Sequence, residues 1–272
     1  MQRRLSGFVR KGFSARLISR VHEFGSSNYF KAAFTSSSFR YATSWQRVNT
    51  KFLPLSEIPR DRVVRDALTM EIGLAPQLPD TCPKCKVKIS NKFTHAPICT
   101  GAFKHHTVGT KLEEAVFKAL RTYFPGTRKQ PRYLANPLIA AKHLNPKLVQ
   151  GDLAFSTPAG VIIGDVTFTS SVNEAKSNLK VTGFNASKRE TDKLKEMVAN
   201  FDFPPSLFVA LGFEAHGAWG GSAYKFIRDR FEFLRDTKAV DANSFYRITQ
   251  TIGLAIRECN TEYLDFIRDC KV

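Results

Sequence analysis

Cysteine, methionine and tryptophan are scarce in this sequence, and acidic residues are well outnumbered by basic ones. Five cysteines in 272 residues are too few for a disulfide framework, which is denser and belongs to smaller secreted chains. Their spacing is also uneven. Cys82, Cys85 and Cys99 cluster, whereas Cys259 and Cys270 stand far off in a helical-looking tail and read as ordinary thiols. With no secretory signal peptide at the start, the pattern predicts a reducing compartment and a metal site. No run approaches the roughly 18 consecutive apolar residues of a membrane-crossing helix, so no membrane partner is expected. Acids number 24 against 41 Lys and Arg, a net charge of +17. An excess of that size suits a polyanion, because phosphate contacts release counterions and supply sequence-independent affinity. Residues 1–50 hold nine of the bases and the single acid Glu23, and the remainder of the chain is still positive.

What is present is the make-up of a globular protein, 43% hydrophobic and 12% aromatic, with 23 phenylalanines. Residues 1–45 form a basic Ser/Arg/Phe-rich leader or linker. Leu5, Phe8, Val9, Phe13 and Leu17 can line one helical face there, the composition of a mitochondrial presequence. Residues 46–80 read as a short helical segment, with Val63, Ala67, Met70 and Leu74 at helical spacing. After a cysteine/histidine cluster in 81–106, an amphipathic helix is expected over 110–124, with Leu112, Val116, Ala119 and Tyr123 on one face and Pro125-Gly126 as its stop. Two strands follow at 148–155 and 161–169, joined by Thr-Pro-Ala-Gly at 157–160. A polar helix is expected over 173–200, a buried strand over 207–213, and helices over 221–236 and 243–269. That order predicts an α/β fold with a mixed sheet, its core in 107–240 and a C-terminal helix in 241–272.

The cysteine cluster spells C-x2-C-x9-H-x3-C through Cys82, Cys85, His95 and Cys99. Thiolates and imidazole are the ligands zinc favours, and four protein ligands leave no open position, so the site reads as structural. It would fasten a loop too small to own a core. His105 and His106 are the alternative imidazoles, although their place suits a helix approach or a DNA-facing surface.

The two predicted strands each carry one acid in an apolar setting, LVQGDLAF with Asp152 and VIIGDVTF with Asp165. If the turn centres on residues 158–159, Asp152 and Asp165 face each other across the ladder. Carboxylates at cross-strand distance repel, and a divalent cation such as Mg²⁺ or Mn²⁺ resolves the repulsion. A slipped register, or pairing of each Asp with Lys or Arg, is the other reading. A lysine near the acids would orient a water and counter phosphate charge. Thr167 occupies the position two after Asp165, which leaves Lys176, Lys180, Lys188, Lys193 and Lys195 of the next helix.

Taken together, the short helix ending in GL, the C-x2-C…H-x3-C cluster before HHTVGTKLEEAVFKAL, the pair GD152-x12-D165VT, and the strand running into FVALGFEAHGAWGGSA resemble a known family. That family is the C-terminal zinc-knuckle plus restriction-like endonuclease region of site-specific non-LTR retrotransposon (LINE) reverse transcriptase proteins, of the PD-(D/E)xK class. The similarity spans roughly residues 45–265. It implies a restriction-endonuclease-like core behind a CCHC zinc knuckle, and a metal-dependent DNA endonuclease that nicks phosphodiesters. By matching position it implies Asp152 and Asp165 as magnesium ligands, Lys193 as the helical lysine with Lys188 in reserve, and Glu214 as a supporting acid or secondary metal contact. Gly151 stands where the family usually has Pro. The partners implied are DNA or RNA and a reverse transcriptase acting in trans, and the compartment implied is the nucleus, against the mitochondrion suggested by residues 1–45. A zinc-containing nucleic-acid-binding protein without catalysis is the competing expectation.

Overall fold

The structure is a computed structural model that describes residues 61–71, 78–89, 95, 99, 107–129, 140–141, 151–157, 160–170, 181–202 and 204–268. The leader at 1–45, Leu74, His105, His106, Lys176, Lys180 and Cys270 lie outside the described residues.

The apolar spacing at Val63, Ala67 and Met70 forms helix α1, Asp61–Glu71, with all three side chains buried. Helix α2, Thr107–Arg121, buries Leu112, Val116 and Leu120 at i, i+4 and i+8. Each such burial stabilises the fold by about 1.5–3 kcal/mol. The chain then turns at Pro125-Gly126 into the short strand β1, Arg128–Lys129. The hairpin predicted from the two acidic strands is present as β3, Leu153–Thr157, and β4, Gly160–Thr169. A two-residue strand β2, Ala140–Ala141, precedes it.

Helix α3, Phe184–Asn200, follows, and the part of the expected helix at 173–180 lies outside the described residues. Gly183 takes φ 72° just before the helix, and a side chain on it would lie 2.3 Å from the Trp219 carbonyl oxygen. Strand β5, Phe201–Asp202, pairs with β2. A 3-10 turn, Pro205–Leu207, leads into β6, Phe208–Glu214. Helices α4, Gly221–Asp236, and α5, Ser244–Arg268, complete the described chain. Among the described residues no helix is long and apolar enough to cross a membrane.

The main sheet has the order β1-β3-β4-β6, antiparallel at β1/β3 and β3/β4 and parallel at β4/β6. The fold is therefore mixed α/β, as the element order predicted. One face of the sheet meets α2, α4 and α5 in a core that includes Leu112, Leu153, Leu211, Phe213 and Ile256. The other face packs Ala154, Ile163 and Ala210 against Met197 of α3. Cys82, Cys99, Leu112 and Tyr263 belong to one cluster, so residues assigned from sequence to 81–106, 107–240 and 241–272 share a single core. Arg268 of α5 also clamps Asp66 of α1 with bonds of 2.7 and 3.1 Å.

Candidate functional site: a thiol cluster and a carboxylate cluster

Two groups of titratable side chains stand out. The first is built at a tight turn. Lys86 donates its backbone N–H to the Cys82 carbonyl at 2.9 Å, and Cys82 donates to Val87 at 2.9 Å. Lys86 adopts φ 62° to make the reversal, and Thr81 and Lys88 bridge antiparallel beyond it. This brings Cys82 and Cys85 to one side. His95 and Cys99 close the other, and all four ligand atoms lie within 4.8 Å of one another. Cys82 Sγ stands 3.6 Å from Cys99 Sγ, and Cys85 Sγ stands 3.6 Å from His95 Nε2. A disulfide would draw sulfurs to about 2.05 Å. Ligands tetrahedrally placed around zinc at its usual bond lengths would be about 3.6–3.8 Å apart. The donor set and its spacing thus fit a metal such as zinc. Burial raises the Cys82 thiol pKa, but hydrogen bonds from the Cys85 amide, His95 and the Lys84 amide outweigh it and bring the thiol down to about 6. Cys259, by contrast, is buried in apolar surroundings that push it up to about 12.

The second group lies at the mouth of the β3/β4 hairpin. Leu153 with Gly164 is the last pair of the β3/β4 ladder, and Asp152 lies just beyond it, close enough to Asp165 for the two charges to interact. Asp152 donates its N–H to the Gly164 carbonyl at 2.9 Å, and its Oδ2 accepts from Val166 N–H at 2.7 Å. Glycine is required beside both acids. A side chain at Gly151 would stand 2.7 Å from the Gly164 carbonyl oxygen, and one at Gly164 would stand 2.6 Å from the Phe155 ring. The ammonium of Lys193 lies 3.5 Å from Asp165 Oδ2 and 3.3 Å from Glu196 Oε2. Lys188 precedes Lys193 by five residues, about 140° around the helix, and makes no ion pair with either acid among the described residues. The preceding turn on the Lys193 face holds Arg189, whose charge also acts on Asp165.

A third carboxylate, Glu113 of α2, reaches the same place. It is buried, and its charge acts on Asp152. The Glu113 carboxyl in turn feels Asp165 and is pushed up chiefly by burial. Burial, and then the Asp165 charge, pushes Asp152 up to about 7. Asp165 is raised by burial as well, against the pull of Lys193. Asp165 Oδ2 and Glu113 Oε1 are buried without a hydrogen bond, each opposed only by an ammonium, Lys193 at 3.5 Å and Lys129 at 3.6 Å. Buried oxygens are rarely left so, and a cation beside either one would satisfy it. The donor set fits Mg²⁺ or Mn²⁺ chemically, although among the described residues only the Cys/His group is closed to within 4.8 Å.

Glu214 stands apart from this cluster. It pairs with Thr169, four residues along from the Asp165–Ala210 pair, about 13 Å up the sheet. Its Oε1 accepts the backbone N–H groups of Asn185 at 3.1 Å and Ala186 at 3.4 Å, so it caps the start of α3. Glu190, which sequence reasoning passed over, does the same for α4. It accepts from Gly212, Ser222 and Ala223 N–H at 2.9–3.0 Å. The two caps fix α3 against β6 at both ends of one helical turn and a half, and so aim Lys193 at the hairpin. Glu113 was missed because KLEEAVF reads as a solvated acidic pair beside an apolar stripe.

No protein-family model matches the chain, no curated protein is similar enough to it to count as a match, and no solved structure matches its fold.

Proposed function

We propose that this protein is a metal-dependent endonuclease that hydrolyses DNA phosphodiesters, on a restriction-endonuclease-like core fastened to a CCHC zinc knuckle. The observation that carries the reading is Asp152, its Oδ2 held by the Val166 N–H, beside Asp165, whose Oδ2 lies 3.5 Å from the Lys193 ammonium. Two partly buried acids and one amine, gathered at the end of a hairpin, are the kind of groups that phosphodiester hydrolysis uses. The resemblance to the endonuclease region of non-LTR retrotransposon proteins points the same way, and the +17 net charge suits a nucleic-acid substrate.

In this reading Asp152 and Asp165 hold Mg²⁺ or Mn²⁺, with Glu113 as the third carboxylate, and the ion supplies Lewis acidity toward the phosphate and its attacking water. Asp152 is held in place by the Val166 N–H. Lys193 orients the attacking water and offsets the charge that grows on the phosphate. Arg189, on the same face of α3, receives an adjoining phosphate. Zinc in the thiol cluster keeps Cys82, Ile89 and Cys99 seated on the core and takes no part in the reaction.

The test is plasmid nicking by the purified full chain with Mg²⁺ or Mn²⁺, beside Asp165→Ala. Nicking by the wild type that disappears in the variant is the expected result. If both proteins bind DNA and neither nicks it, the chain is a nucleic-acid-binding module that keeps the fold without the chemistry.

A further inference from the structure

Helix α2 carries more than Glu113. Successive turns of the same face present Glu113 and Glu114, then Phe117 and Lys118, then Arg121 and Thr122. An open cavity of about 510 Å³ lies along this stripe, lined by Glu114, Phe117, Lys118, Arg121 and Thr122. Lys118, Arg121 and Thr122 are exposed, and Phe117 is half-buried with its inner edge on the main core. The Arg121 guanidinium stands 6.0 Å and the Lys129 ammonium 5.8 Å from the centre of the Phe117 ring. The one acid in the cavity is already neutralised, since Glu114 is 2.5 Å from Lys129 and 3.9 Å from Lys118. Lys129 also stands 3.6 Å from Glu113, so it links Glu114 of the cavity to the carboxylate cluster.

An aromatic face flanked by two cations, with a third at its rim, matches the chemistry of an unpaired nucleotide. The ring takes the flat face of a base, and the cations take the phosphates on either side. A duplex cannot use such a ring, because its base faces are covered by their neighbours. An acidic peptide would use the cations and leave the ring idle.

We propose that this cavity receives an unpaired nucleic-acid strand beside the phosphodiester held at the carboxylate cluster, with one base on Phe117 and its phosphates on Arg121 and Lys118. The proposal rests on the nuclease reading for what lies next door, but its own content is binding, which can be measured without turnover.

The experiment is fluorescence anisotropy of the zinc-loaded full chain with no added Mg²⁺ or Mn²⁺. The probes are a labelled oligothymidylate, the matching oligouridylate and a blunt duplex. Phe117→Leu keeps the apolar volume against the core and removes the stacking face, and Arg121→Ala changes only an exposed side chain. Phe117→Leu is expected to weaken binding of one or both single strands about tenfold at unchanged melting temperature, and to leave the duplex within about twofold. Arg121→Ala is expected to lower the slope of log affinity against log salt by about 0.7. Equal single-strand binding by wild type and Phe117→Leu overturns the proposal. So does an equal loss on the duplex, or competition by an acidic peptide as strong as by the oligonucleotide. Because no reaction occurs in this assay, a chain that fails to nick plasmid can still pass it. A chain that nicks through Asp165 can equally fail it.

Discussion

The thiol cluster and the carboxylate cluster are both gatherings of metal-type ligands, yet they are assembled in opposite ways. The thiol cluster draws all four side chains from 18 consecutive residues, and its atoms sit within 4.8 Å of one another. It is closed, and three of its four residues are buried. The carboxylate cluster takes one acid from β4, one from the bend just before β3, a third from α2 and an ammonium from α3. It is held by the sheet register and by two helix caps, and its oxygens keep their distance, two of them unsatisfied. A soft-ligand site made by local chain geometry can close before an ion arrives, because its thiols and imidazole contact one another as hydrogen-bond partners. Three carboxylates cannot close without a cation. The first arrangement suits a staple and the second suits a site where substrate and water must enter.

The comparison breaks most visibly if the staple is dispensable. Zinc-site formation contributes about 10–16 kcal/mol in isolated knuckle peptides, and here Cys82 and Cys99 are part of the main core. Cys99→Ser, or stripping of metal by a strong chelator, is therefore expected to lower the melting temperature by about 10 °C or more and to expose residues 78–89 to proteolysis. Elemental analysis of the untreated chain should find about one zinc per molecule, as four protein ligands imply. A metal-free chain that melts at the same temperature would remove the distinction between staple and active site.

The carboxylate side is sharpened by separating its members. Lys193→Met is expected to reduce nicking about 10²- to 10³-fold with little change in the Mg²⁺ requirement, because the amine acts on water and phosphate. Glu113→Gln should instead raise the Mg²⁺ concentration for half-maximal nicking about 10- to 100-fold while leaving the maximal rate closer to wild type. Glu214→Gln, remote from the cluster, should act on stability through the lost charge at the start of α3 and leave the Mg²⁺ titration alone. Identical metal titrations for Glu113→Gln and Glu214→Gln would place Glu113 among the merely buried acids.

These two regions also differ in how much of them could be read in advance. The C-x2-C-x9-H-x3-C spacing specifies its own geometry, and the hairpin turn at 157–160 was enough to set the register of β3 on β4, Ser156 against Val161. Helix α4 is bounded where its sequence pattern begins and ends, at 221 and 236. Positions that depend on packing between distant elements were not legible. Glu113 and Glu114 are neighbours of the same type, and only the docking of α2 on the sheet decides that the first is buried. Glu190 looks like one more charge on a polar helix until α4 and β6 bring three N–H groups to it. Glu214 follows a buried strand, a place that suits a catalytic acid as well as a cap, and the amides of Asn185 and Ala186 decide for the cap.

The smallest effect expected concerns the energetic state of the carboxylate cluster itself. Burial and the Asp165 charge lift Asp152 from the ordinary carboxylate range to about 7 in the fold. The folded chain therefore holds a proton that the unfolded chain releases near pH 4. Stability from this group is complete below that pH and declines as pH rises, until it is gone above about 7. Asp152→Asn keeps an oxygen for the Val166 N–H and removes the ionisation. With zinc retained and no Mg²⁺ or Mn²⁺, the variant should melt about 3 °C above wild type at pH 8, with the difference shrinking toward pH 4. Millimolar Mg²⁺ should close or reverse the gap at pH 8, because only the wild type has both acids to hold the ion. Thermal shift across that pH range checks the sign. A variant less stable than wild type at pH 8 without the ion would mean that Asp152 is already satisfied there. In that case the carboxylates would need no cation, and the contrast with the thiol staple would be one of shape alone.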